Sequence, residues 1–191
     1  TVQNANGTKV YEYDKAELAK VEIPAKVLEG SLVIVEYQIE VTNEGDIPAQ
    51  VDAIVDYVSP QFEFKSELNT TWYKGNDNNL YCVEFTNENL EPGKTVNTKL
   101  VLTKTMTQSN TGLVNNTAEI YDDFNEYALK DVNSTPANKA EKENDISGAD
   151  IIITVATGSP AMYIGIVIAS ALILGAGIYL INKKVIQGNI D

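Results

Sequence analysis

Residues 31–43 read SLVIVEYQIEVTN, and their reading decides the fold. Val33, Val35, Tyr37, Ile39 and Val41 recur at every second position, with Glu36, Gln38 and Glu40 between them. A side-chain period of two belongs to a β-strand with one buried face, whereas a helix would need apolar residues three and four apart. Asn43-Glu44-Gly45-Asp46 follows, a turn whose Asn and Gly tolerate positive φ, and the chain resumes as AQVDAIVDYV with Val51, Ala53, Val55 and Tyr57 alternating. This spacing predicts a hairpin with those four residues facing inward.

The same pattern continues outward in both directions. Further strands are expected at about 18–28, 62–67, 80–86, 95–104, 113–121 and 150–155, separated by turn clusters at 57–60, 74–79 and 90–93. About seven strands, and no helical period before residue 160, predict an all-β fold, an Ig-like antiparallel β-sandwich. The expected organisation is a linker or the end of a preceding region at 1–16, the sandwich at 17–155 and a hinge at 156–160. Val35, Tyr37, Ile39, Val55, Leu100, Val114 and Ile120 are its expected core. The polar stretch 130–150 reads as a long loop outside that core.

Residues 161–181, AMYIGIVIASALILGAGIYLI, carry no charge. At about 1.5 Å per residue they span about 30 Å as a helix, the hydrocarbon thickness of a bilayer. Tyr163 and Tyr179 lie near the ends, where amphipathic rings prefer the interface, and Lys183 and Lys184 follow. One transmembrane helix is therefore expected after the sandwich, anchoring it in membrane lipid, with the N-terminal part extracellular and residues 182–191 a cytoplasmic tail. The opening residues have neither the basic nor the apolar part of a signal peptide, so the chain reads as the C-terminal piece of a longer protein.

Composition narrows the function. The chain has 191 residues with 27 acidic against 14 basic side chains, a net charge of -13, and every basic one is Lys. Nucleic acid as a partner is excluded on charge, since phosphates need a basic surface. There is no His, and Cys82 is the lone cysteine, so an intrachain disulfide, a His-bearing zinc site, a Ser-His-Asp triad and a Cys-His pair are all out of reach. Paired acids such as Asp52 and Asp56 read as solvated strand positions rather than a glycosidase pair. The chain is read as no enzyme.

The motifs YQIEVTNEGDIPAQ, IVDYVSP, LEPGKT, LVNNTAEIY and DVNSTPAN, in that order, resemble the conserved-repeat domain found in tandem in Gram-positive bacterial surface proteins. The resemblance covers about residues 17–155. It implies an Ig-like sandwich serving as a membrane-proximal stalk or adhesion module without enzymatic activity, with upstream repeats in the same chain. Many such proteins carry a Leu-Pro-x-Thr-Gly sorting signal before the apolar segment. Here that place reads Ala156-Thr157-Gly158-Ser159-Pro160, so the membrane helix itself is expected to be the anchor.

Three constellations are weighed against plainer readings. Asn116 shares a strand face with Val114, Ala118 and Ile120, and is expected to tie down a neighbouring backbone, because buried amides are nearly always hydrogen-bonded. The resemblance to pilin and adhesin modules adds an alternative, a Lys-Asn isopeptide with Lys20 or Lys26 as nucleophile and Asp56 assisting, which needs a buried, unprotonated lysine. Asp122-Asp123, then Asp131, Asn133, Asn138 and Asp145 offer hard oxygens of the kind Ca²⁺ takes, with Asp131, Asn133 and Asp145 singled out as candidates, but the spacing is not that of an EF-hand. An ordinary solvated acidic loop, with no cofactor, is the expectation. Trp72 and Tyr73 are read chiefly as core, and alternatively as a contact for an extracellular glycan or protein.

Overall fold

A computed structural model describes residues 1–3, 5–7, 9–11, 18–156 and 171–176. Its strands are β1 (Val2–Gln3), β2 (Lys9–Tyr11), β3 (Leu18–Pro24), β4 (Leu32–Asn43), β5 (Gln50–Asp56), β6 (Glu63–Phe64), β7 (Trp72–Lys74) and β8 (Leu80–Cys82). β9 (Thr95–Thr105), β10 (Gly112–Val114), β11 (Thr117–Phe124), β12 (Ile146–Gly148), β13 (Asp150–Ala156) and β14 (Ala171–Ala176) follow. A single helical turn, α1 (Ala25–Leu28), lies between β3 and β4, and a 3-10 turn spans Ser66–Leu68. The protein is all-β.

β4 is the strand its alternation predicts. Val33, Val35, Tyr37, Ile39 and Val41 are buried, and the residues between them are partly exposed. It pairs antiparallel with β9 from Leu32↔Thr105 to Thr42↔Thr95. Strand order in this sheet is β2-β1-β4-β9-β6, with β14 also on β4. A second sheet runs β10-β13-β3, where β13 and β3 are parallel, and a third runs β12-β11-β5-β8-β7. One hydrophobic cluster joins all three through Tyr37, Ile39, Leu100, Leu102, Ile54, Leu80, Ile120, Ile151 and Ile153.

The hairpin expected between β4 and β5 does not form. The turn does: Asn43 Oδ1 accepts from Gly45 N, and its Nδ2 donates to the carbonyls of Ile47 and Leu90. But β4 is already paired along its length with β9, and the chain crosses to the third sheet, where β5 pairs with β11 and β8. Asn and Gly permit a tight reversal without dictating which strand the returning chain meets.

β5 also departs from its expected face. The β5–β11 register shifts on both sides of Asp122, and Tyr121 has no partner in it. Such a bulge breaks the strict alternation. Ile54 and Val51 enter the main core, while Val55, expected there, is buried outside the cluster opposite Glu119. Shorter corrections fall at 62–67, which is two strand residues and then a 3-10 turn, at 80–86, where the strand ends at Cys82, and at 113–121, where Asn115–Asn116 interrupt β10 and β11. Thr1–Gln3, placed in a linker by sequence, join the β4 edge: Val2 is buried, and Thr1 exchanges backbone hydrogen bonds with Ile34.

Of the apolar stretch 161–181, residues 171–176 are described. They run extended and parallel to β4, Ala171↔Gln38 to Ala176↔Asn43, where a helix is expected from sequence. An unbroken apolar run has no period to choose between strand and helix, and an open sheet edge satisfies its backbone. Tyr163, Tyr179, Lys183 and Lys184 lie outside the described residues. Among the described residues, no helix is long and apolar enough to cross a membrane.

The β4 register carries a direct test. Ile39→Ala empties a fully buried site and should cost about 2–5 kcal/mol, whereas Glu40→Ala, on the partly exposed face, should change stability by no more than about 0.5 kcal/mol. Denaturant unfolding of the two variants measures both.

Candidate functional site

Two groups of buried polar side chains stand out against the apolar core. The first is Asp56, Asn116 and Tyr37. Asp56 ends β5, Asn116 sits in the break between β10 and β11, and Tyr37 is central in β4; all three are buried. Asn116 Nδ2 donates to Asp56 Oδ2 at 2.6 Å. Asp56 Oδ1, Asn116 Oδ1 and the Tyr37 hydroxyl have no hydrogen-bond partner. Burial drives the Asp56 carboxyl up to about 8, against a lowering by the Asn116 hydrogen bond. It also drives the Tyr37 phenol well above its ordinary range, with Asp56 and Asp150 adding to the rise.

The expected partner of Asn116 was a loop backbone. Its amide instead meets Asp56, although its own carbonyl also accepts from Ala149 N. Lys20, the nucleophile of the isopeptide reading, is on the surface in an ion pair with Glu22 at 2.9 Å, and Lys26 is exposed. The pair Asp56/Asn116 therefore assembles without either lysine. Among the described residues, the lysine that the fold does bury is Lys104 of β9, opposite Val33 of β4 and in step with Leu100 and Leu102. Its ammonium donates to Gln61 Oε1 at 2.9 Å, and burial lowers its pKa. The parity of TVNTKLVLTK was the available signal, since Leu100, Leu102 and Lys104 share one face.

The second group lies under the segment Asn125–Asp145, which sequence assigns to a solvated loop. Glu119 of β11 is completely buried and organises it. Glu119 Oε1 accepts from the backbone of Asn138 at 2.8 Å and Lys139 at 3.0 Å, and Oε2 accepts from the Tyr57 hydroxyl at 2.5 Å. Burial and that bond raise the Tyr57 phenol strongly, and the Lys139 ammonium sits 4.1 Å from the centre of the Tyr57 ring. Asn125, Asp131 and Glu143 each fasten loop N–H groups in the same manner. The loop is thus held to the sheet by carboxylates and amides rather than by apolar burial.

Against that loop a pocket opens, lined by Ala49, Gln50, Ile120, Asp123, Asp131, Ser134, Pro136 and Asp145. Burial, with Glu119 next in effect, raises the Asp145 carboxyl to about 6. Burial, with Asp131 and Asp122 next, raises Asp123 as well. Of the three calcium candidates, Asp131 and Asp145 meet at this pocket. Asn133 is not in its lining; its backbone N–H donates to Asp131 Oδ1. Asp123, another of the hard-oxygen residues read from the sequence, joins Asp131 and Asp145 there.

Trp72 is buried, as its core reading has it, with an indole N–H that meets no acceptor. Tyr73 projects the other way, 50 % exposed, stacked on Tyr81, whose ring packs edge-on to the half-exposed Tyr121. Cys82 is a buried free thiol, its pKa raised by burial.

The sign of the pH dependence follows from Asp56. Its carboxyl is raised from 3.8 unfolded to about 8 folded, so its contribution to stability is complete below about pH 4 and is lost as pH rises to about 8. Asp145 adds to the loss up to about pH 6. Stability should therefore fall on going from pH 6 to pH 8, and Asp56→Asn should flatten that part of the curve, as read from urea midpoints at each pH.

Comparison with protein families, with characterised proteins and with solved structures finds no match, so the reading of these groups rests on their own geometry.

Proposed function

We propose that the chain is a non-enzymatic, membrane-anchored cell-surface protein of a Gram-positive bacterium. Its all-β region is an Ig-like repeat acting as a membrane-proximal stalk or adhesion module. The observation that carries this reading is the uncharged run from Ala161 to Ile181 followed by Lys183 and Lys184, placed directly after an acidic all-β domain. In the bilayer a helix satisfies every backbone group internally, so Ala171–Ala176 leave the β4 edge for it.

The crossing of the chain between sheets after β4, and the parallel pairing of β3 with β13, support a sandwich over a single meander. A non-catalytic role is supported by the placing of the acids. Asp56 is sealed in the interior, whereas Asp52 is partly exposed, so the two do not face each other across a cleft.

A second reading, a ligand-binding surface module, is favoured by the rings of Tyr73, Tyr81 and Tyr121. Their exposed faces, beside Asp77 and Asn79 in the β7–β8 turn, suit the C–H faces and hydroxyls of a glycan. The Trp72 part of that surface falls away with its burial.

Topology is tested with introduced thiols, since buried Cys82 gives little background. On intact cells a membrane-impermeant maleimide should label Glu67→Cys, and should label Asn189→Cys only after lysis. The reverse pattern would invert the orientation, and labelling of neither or both before lysis would remove the anchor. Loss of glycan-array binding in Tyr73→Ala, if the wild-type protein shows any, would favour the second reading.

A further inference from the structure

Asp145 is 1 % exposed, and neither of its carboxylate oxygens meets a hydrogen-bond donor. A buried carboxylate without donors or a counter-charge is costly enough that folded proteins rarely keep one. The charged groups acting on it are Glu119, Glu143 and Asp131, all acidic. It lines a pocket together with Asp123 and Asp131, and the other polar lining groups are the Gln50 amide and the Ser134 hydroxyl. The pocket is walled by these three aspartates, Gln50 and Ser134 together with the apolar Ala49, Ile120 and Pro136. Nitrogen and sulfur ligands are absent from it.

We propose that this pocket is a Ca²⁺ site, with Asp145 and Asp131 as its anionic ligands. Asp123 supplies further negative charge at the wall, and the Gln50 amide, the Ser134 hydroxyl and water complete the oxygen shell. Among the described residues, no three acidic, His or Cys side chains converge tightly enough to hold an ion by themselves. Two carboxylates with neutral oxygens and water are a ligand set that Ca²⁺ accepts at six to eight coordination, whereas Mg²⁺ demands near-ideal octahedral geometry.

Asp131 is held at the pocket wall: its Oδ1 accepts from Asn133 N at 3.0 Å and its Oδ2 from Ser134 Oγ at 2.7 Å. Asp145 stands one residue before β12, and its carbonyl accepts from Ile120 N at 2.8 Å, which seats the carboxylate against β11. An ion here joins Asp131 in the middle of the loop to Asp145 at its end, and both to the sheet. The inference rests on the pocket alone and holds whichever functional reading is correct.

The test is calorimetric titration of the full chain in detergent micelles, stripped with EDTA and exchanged into chelator-free buffer. Saturable binding of one Ca²⁺ per chain is expected, with a dissociation constant on the order of 10⁻⁴–10⁻³ M as in extracellular modules. Asp145→Asn and Asp131→Asn should each weaken it tenfold or more, with the far-UV circular dichroism unchanged. Asp77→Asn, in the exposed β7–β8 turn, should leave it intact. Absence of saturable binding, equal affinity for Mg²⁺, or unaltered binding in both pocket variants would overturn the proposal. If Asp145→Asn fails to fold, Asp131→Asn decides, together with a calcium-dependent rise in the melting temperature of the unsubstituted chain.

Discussion

The antiparallel ladder between β4 and β9 is the constraint on which the rest of the fold depends. It pairs Leu32 through Thr42 with Thr105 through Thr95 without a register shift, so the faces of both strands are fixed along their whole length. A one-residue slip would send Tyr37, Ile39, Leu100 and Leu102 to the surface together. With one edge of β4 occupied by β9 and the start of the other by β1, β5 is committed to a different sheet. Its last residue, Asp56, then ends in the interior on the side of Tyr37, with the Asn116 amide as its hydrogen-bond partner.

The third sheet answers to a different force. Its face bearing Val55 and Glu119 is covered by Asn125–Asp145, a segment with few apolar residues to bury. What holds the segment is a set of polar side chains aimed at backbone N–H groups: Glu119 at Asn138 and Lys139, Asn125 at Tyr127 and Leu129, Glu143 at Thr135. Charge-assisted bonds of this kind are roughly twice as strong as neutral ones, and here they replace a hydrophobic seal. The left-handed backbone of Ala128, Ala137 and Lys139 is strain sustained by that network.

This difference explains what the sequence made legible. β4, β9 and β13 bury alternating residues, and period-two reading finds them nearly to the residue, whereas the strand expected at 18–28 ends at Pro24, where α1 begins. β5 misled the same reading because the irregularity lies in its partner: nothing in AQVDAIVDYV announces that Tyr121 will bulge and turn Ile54 inward. The loop misled it for a chemical reason. Asn, Asp and Glu in a polar run look solvated, and only tertiary structure reveals that Glu119, Asn125 and Asp145 are buried. Lys104 is readable from strand parity, whereas Lys20 lies on the surface, paired with Glu22 of its own strand.

Glu119, Asp56 and Asp145 are all carboxyls removed from water, and each presents a different solution to the same cost. Glu119 is surrounded by N–H and O–H donors that stabilise a carboxylate. Asp56 has one amide and an apolar shell, and its raised pKa means that it keeps a proton where an exposed aspartate would not. Asp145 has no donor, and the charged groups that act on it are themselves acids. Protonation would leave the new O–H as unpartnered as the oxygens were. A divalent cation at the proposed site would give both Asp145 oxygens a partner and set a positive charge against the acids that line the pocket.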